Sequence, residues 1–134
     1  MRPACRAMGV AGLLISQAAA AGSSRGDFLS PAEIRSAVVG NTIRYQNDDK
    51  DVVDEYYSAD GSVHGRSRAA GPYEALWQIR LGNLLCIVQK DPMQSGCVNV
   101  VLRAGRIEFH RRDGVVEGPF ELRSGDPEHL GNPR

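Results

Sequence analysis

The chain has 134 residues and carries sixteen Lys and Arg against sixteen Asp and Glu, a formal net charge of zero. That length suits one domain, and 42% hydrophobic with 24% charged residues is an ordinary globular composition. Zero net charge argues against a nucleic-acid partner, whose affinity rests on excess positive charge. No run of about 18 apolar residues is present, so no transmembrane segment is expected.

Residues 1–21 have the three parts of a secretory signal peptide. Arg2 and Arg6 form a positive start, Met8 to Ile15 an uncharged apolar stretch, and Ala18 to Ala21 a small-residue cleavage region. Cleavage after Ala19, Ala20 or Ala21 fits equally well. No Cys follows the small residues and Arg2 and Arg6 are not adjacent, so neither a lipid anchor nor a twin-arginine signal is expected. The expected location is the periplasm or the medium. Loss of Arg2 and Arg6 would leave fourteen basic against sixteen acidic residues, a net charge of −2.

Residues 22–28 are Gly/Ser-rich and read as a mobile arm. The tripeptide Arg25-Gly26-Asp27 in it is a chance combination of common residues. A helix follows. Ser30 is its N-cap, Pro31 its first residue, and Glu33 completes a capping box. Leu29 can staple onto Ile34. Ile34, Ala37 and Val38 share one face, and Gly40 ends the helix.

From Asn41 the pattern becomes β. Short runs are separated by tight-turn residues: Asp60-Gly61, Gly82-Asn83, Ala104-Gly105 and Asp113-Gly114. The runs are Asn41 to Gln46, Asp54 to Ala59, Ser62 to Ser67, Tyr73 to Leu81, Leu84 to Gln89, Cys97 to Arg103, Arg106 to Arg111, and Val115 to Leu122. The last is interrupted by Gly118-Pro119. Tight turns force antiparallel neighbours. The expected fold is mainly β, an antiparallel meander of seven or eight strands closing into a small barrel or half-barrel, with one short N-terminal helix at an open end. Residues 29–123 form this domain, and residues 124–134 read as a flexible tail.

Period two assigns faces. Ala75, Trp77 and Ile79 share one, Ile107 and Phe109 another, and Val98, Val100 and Leu102 a third. Trp77 is expected in the core. Cys86 and Cys97 are the two Cys outside the leader, and an even pair in an exported chain reads as a disulfide. It would close a 12-residue loop, worth about 3 kcal/mol. The alternative is two reduced core thiols.

Chemistry is sparse. The acidic cluster Asp48, Asp49, Asp51, Asp54 and Glu55 lacks the Gly and the bidentate Glu of a calcium loop, because Val52 and Ser58 stand at those positions. It reads as a solvated loop. His64, His110 and His129 have no partner at metal-ligand spacing. No nucleophile elbow, zinc motif or phosphate loop is present, so no cofactor, metal or catalytic residue is assigned. Glu108 and His110 share a strand face, where a general base and its partner would fit. Arg66, Arg68, His110 and Arg111 are the candidate ligand surface, with Arg112 beside them, Tyr56, Tyr57 and Tyr73 near, and a small anion or a carboxylate as the matching group.

Three motif groups run in order along the chain: Leu29-Ser30-x-x-Glu33-Ile34 with Gly40-Asn41-Thr42; Tyr56-Tyr57-x-x-Asp60-Gly61-x-x-x-Gly65; and Trp77-x-Ile79 with Leu85-Cys86 and Cys97-x-x-Val100. This order resembles a family of small exported proteobacterial proteins of unassigned function. The resemblance covers Leu29 to Phe109, departs from the family pattern at Ala75, and implies export and a helix-plus-β domain with no catalytic residue. The shape also resembles periplasmic inhibitor barrels of lysozyme or of metalloproteases, at the level of fold. Three functions follow as expectations: a non-enzymatic module binding a small ligand or envelope component, an inhibitor of an envelope hydrolase, and a small enzyme using Glu108 and His110.

Overall fold

Ser30 opens the helix as its sequence dictates: its side chain accepts from the Glu33 N–H at 3.2 Å. The computed structural model describes residues 27–132. The leader at 1–21 and most of the arm at 22–28 lie outside them. Helix α1 spans Pro31–Val38. Gly40 follows its cap in the left-handed region, at φ +81°, a conformation that glycine adopts without a Cβ clash.

Eight strands follow: β1 Thr42–Gln46, β2 Val52–Tyr57, β3 Ser62–Ser67, β4 Gly71–Arg80, β5 Leu84–Val88, β6 Gly96–Arg103, β7 Arg106–Arg111 and β8 Val116–Arg123. Each pairs antiparallel with the next, and β8 returns to pair with β1 through Thr42–Arg123, Ile43–Leu122 and Arg44–Glu121. The barrel is therefore closed and leaves no free edge strand. The expected meander stands, and closure rather than a half-barrel is the outcome. The β7–β8 ladder is irregular. Ile107 pairs Phe120 and Phe109 pairs Glu117, so Gly118 and Pro119 bulge out opposite Glu108. A Cβ on Gly118 would lie 2.7 Å from the Ile107 carbonyl oxygen, which reserves this position for glycine.

One end of the barrel is plugged. The Leu29 N–H donates to the Val100 carbonyl of β6 at 2.8 Å, and the Gly40 N–H to the Tyr57 carbonyl of β2 at 2.7 Å. In this eight-strand closed order β6 and β2 lie opposite one another, so α1 crosses that end. Ile34 and Val38 are its fully buried residues, and they join a core with Ile43, Tyr57, Val63 and Trp77. Burying an aliphatic side chain of this size stabilises by roughly 1.5–3 kcal/mol, which compensates for a helix too short to persist alone.

Trp77 is 8% exposed and lies in this core, as its strand face predicts. Its indole N–H donates to the Ser58 carbonyl at 2.7 Å. Cys86 and Cys97 face each other across β5 and β6 and form a disulfide. Val101, which alternates with Val100 on β6 and so falls on the other face, is also buried. Asp27 lines a small surface crevice with Val101, Leu102 and Arg103.

The segment expected as a flexible tail lies against the barrel from Gly125 to Gly131, where the chain meets the Tyr56 ring. Gly125 is held by two hydrogen bonds, from its N–H to Asn41 at 3.0 Å and from Thr42 Oγ1 to its carbonyl at 2.7 Å. The Asp126 carboxylate accepts from the N–H groups of Leu130 and Gly131 at 2.7 and 2.8 Å. Glu128 accepts from Arg44, Arg66 and Arg123 at 3.3, 3.1 and 3.1 Å. Its Gly and Pro content suggested disorder, but Glu128 on three barrel arginines and the bonds of Gly125 to Asn41 and Thr42 anchor it.

Candidate functional site

The barrel interior is built by alternation. On β2, Val53, Glu55 and Tyr57 are separated by residues of opposite parity. Glu55 pairs with Ile43 on β1 and Gly65 on β3, both inward positions. The residue is 6% exposed, so a carboxylate stands inside the barrel. Three tyrosine hydroxyls donate to it: Tyr45 to Oε1 at 3.2 Å, Tyr57 to Oε2 at 2.9 Å, and Tyr73 to Oε1. Gly65 makes room for the last. It has no side chain where the Tyr73 ring passes.

Burial first, and then the nearby Glu55 charge, pushes the hydroxyls of Tyr45, Tyr57 and Tyr73 above the ordinary tyrosine value. All three therefore remain donors at physiological pH. Among the described residues no Lys, Arg or His forms an ion pair with Glu55; the arginine pairs involve other carboxylates. The carboxylate is hydrogen-bonded by neutral groups only.

The end opposite α1 opens onto this cluster. A cavity of about 760 Å³ has Glu55, Tyr45 and Tyr57 among its lining residues. Its walls include Phe109, Phe120, Ile87 and Val98. Tyr45 and Phe120 have ring centroids 5.2 Å apart, and Phe109 and Phe120 5.5 Å, so the three rings form a continuous aromatic wall. The mouth lies between the β5–β6 connection, with Met93 and Gln94, and the β7–β8 turn, with Arg112 and Asp113. Loops on the β1–β4 side are tied together instead. The Asp51 carboxylate accepts from Ser67 Oγ and from the Ala69 N–H at 3.2 Å, and the Arg68 N–H donates to the Val52 carbonyl at 3.1 Å. A shallower hollow of about 470 Å³ lies beside the bulge, near Arg106, Pro119 and Glu121. Tyr45 and Phe120 line it too, whereas Glu55 and Tyr57 do not.

The acidic stretch read as one solvated loop is therefore split. Asp49 and Asp51 turn back on Asn47, whose Oδ1 accepts from both N–H groups at 3.0 Å. Asp54 and Glu55 are instead on β2 and buried, one on each side of the sheet. Asp54 takes a two-pronged ion pair from Arg44 on the outer face, at 2.7 and 2.9 Å. Among the described residues no three His, Cys, Asp or Glu converge as a metal site.

The candidate ligand surface of Arg66, Arg68, His110 and Arg111 is not brought together. Arg66 is on β3 and Arg68 just beyond it, while His110 and Arg111 are on β7, and the meander places neither strand beside the other. Arg66 pairs with Glu128, and Arg111 with Asp113 and Glu117 at 2.7 and 3.5 Å. Tyr56 likewise separates from Tyr57 and Tyr73: it pairs Thr42 and His64, on the outer face.

Glu108 and His110 do share the outer face of β7, with Oε2 and Nε2 3.8 Å apart. Arg103 approaches Glu108 at 3.5 Å and Asp27 at 3.6 Å, and the Phe28 ring meets His110 edge-on at 5.3 Å. The pair lies beneath residues 27 and 28, outside the cavity. Among the described residues no helix is long and apolar enough to cross a membrane. No protein-family model, curated protein or solved structure matches the chain.

Proposed function

We propose that this chain is an exported binding protein that holds a small molecule in the open half of its barrel, without turnover. The observation that carries this reading is the cavity of about 760 Å³, whose lining combines the aromatic wall of Tyr45, Phe109 and Phe120, the aliphatic Ile87 and Val98, and the buried Glu55. Ligand sites are typically concave and largely apolar, with a few placed polar groups. Eight strands enclose an interior that side chains fill or that holds one small ligand. Here α1 and the core fill one end and leave the other lined but open. The disulfide and the leader pattern support an oxidising, extracytoplasmic setting.

The test is a titration of the protein with N-phenyl-1-naphthylamine, a neutral dye that brightens in apolar surroundings. Saturable enhancement with unit stoichiometry is expected. A Val98→Trp variant, which fills the cavity from its wall, should retain its circular dichroism and lose the signal. No enhancement with the wild-type protein, or equal enhancement with the filled variant, would overturn the reading.

A further inference from the structure

We infer that the ligand class of this cavity is an organic cation, a protonated amine or guanidine on an aromatic or aliphatic body, whose charged nitrogen docks on Glu55. The inference rests on the binding reading above and adds the ligand's chemistry to it.

Three observations carry it. First, Glu55 is buried in the barrel and lines the cavity, yet its three donors are neutral hydroxyls. A buried carboxylate has a large desolvation penalty, and hydrogen bonds offset it only in part; a cation beside it neutralises the charge. Arg44, the cation of the neighbouring strand β1, has the opposite parity and bonds Asp54 on the outside. The fold thus sends its cation to one carboxylate and leaves the inner one open to the cavity. Second, Tyr45, Phe109 and Phe120 surround the approach. The faces of aromatic rings attract a cation, most strongly where water is excluded. Third, the lining carries Glu55, Asp113 and Glu117 against Arg111 and Arg112, an excess of negative charge. Arg111 is itself engaged by Asp113 and Glu117. An anionic ligand would meet an uncompensated Glu55 at the floor.

Accessibility fits as well. Tyr45 and Glu55 both line the cavity, so a nitrogen reaching Glu55 passes along the Tyr45 ring. The tyrosine hydroxyls fix the carboxylate's orientation before binding, which lowers the ordering cost of docking.

The experiment measures, by calorimetry on the wild-type protein, three probes of one shape: 3-phenylpropylamine, 3-phenylpropanol and 3-phenylpropionate. The amine should bind about tenfold or more tighter than the alcohol, the value expected of one charge-assisted hydrogen bond, and the carboxylate weakest. In Glu55→Gln the amine's advantage over the alcohol should shrink to within about twofold. The wild-type series stands even where that variant fails to fold. Equal binding of amine and alcohol, or tighter binding of the carboxylate, overturns the cation inference while leaving a binding cavity. No binding of any probe overturns it too, and the neutral dye then shows whether the binding reading falls with it.

Discussion

A Cβ atom placed on Gly65 would lie 2.2 Å from Cζ of Tyr73, its partner across β3 and β4. The contact explains the glycine: the Tyr73 ring crosses the backbone of β3 to bring its hydroxyl to Glu55. Gly65→Ala should force the ring aside and destabilise the barrel by about 1–3 kcal/mol, the usual effect of overpacking. The check is a double-mutant cycle in thermal unfolding. Gly65→Ala in a Tyr73→Ala background should be nearly neutral. An undiminished penalty there would show that the ring is not the obstacle.

The tyrosine cluster makes a prediction about alkaline pH. The hydroxyls of Tyr45, Tyr57 and Tyr73 are raised above the ordinary value of 10.0, by burial first and then by Glu55. Below that value they are protonated in folded and unfolded chains alike, and their contribution is fully present. Above it the unfolded chain releases protons that the folded chain retains, so stability falls as pH rises. Tyrosinate absorbance from these three residues should therefore appear only as circular dichroism is lost. Ionisation of Tyr45, Tyr57 and Tyr73 in the native protein near pH 10 would contradict the cluster.

The opposite sign holds for the C-terminal clasp. A hydrogen bond from Arg123 lowers the Glu128 carboxyl below its ordinary 4.5, with added attraction from Arg123 and Arg44. A depressed carboxyl contributes stability above its unfolded value and loses it as pH falls through the folded value. Proteolysis of residues 124–132 should accelerate below about pH 4, and Glu128→Gln should show the faster cleavage already at neutral pH. Such an exposed network adds little to global stability, so the melting temperature should move only slightly. Cleavage independent of pH and of the variant would show that the ion pairs do not hold the segment.

Trp77→Ala should cost about 3–5 kcal/mol, because it removes a core side chain and leaves the Ser58 carbonyl without its indole partner. Emission from this single Trp should be blue-shifted and resistant to quenching. A red-shifted, freely quenched spectrum would place it outside the core.

Reduction of the Cys86–Cys97 bond should cost about 3 kcal/mol, since the oxidised bond closes a short loop in the unfolded chain. Cys86→Ala should match the reduced protein in melting temperature. Equal stability of oxidised and reduced forms would refute that role.

The strand order was legible in sequence because each hairpin states its turn locally. Asp60-Gly61 and Ala104-Gly105 fall between the strands they join, with Gly61 and Gly105 both at positive φ. Such tight turns fix both neighbour and register. The faces of Ala75, Trp77 and Ile79 followed from alternation alone. The candidate site was not legible, because its polar cluster comes from β1, β2 and β4 and its walls from β5 to β8, and these converge only after closure. Glu55 was hidden inside an acidic run whose other members face solvent or the outer surface. Its signal was parity with Val53 and Tyr57, one position out of step with Asp54. Gly65 and Tyr73 were visible as residues, but their contact needs the β3–β4 register. The arginine surface failed for the converse reason: it assumed that β3 and β7 meet, and an eight-strand meander keeps them apart.

The most direct test of the account is an amide chemical-shift titration of the wild-type protein with 3-phenylpropanol, a neutral probe. Binding in the mouth should move Ile87, Gly96, Phe109 and Glu117 and leave Arg66, His110 and Glu128 in place. Shifts confined to that outer set, or no shifts at all, would contradict a ligand-binding barrel.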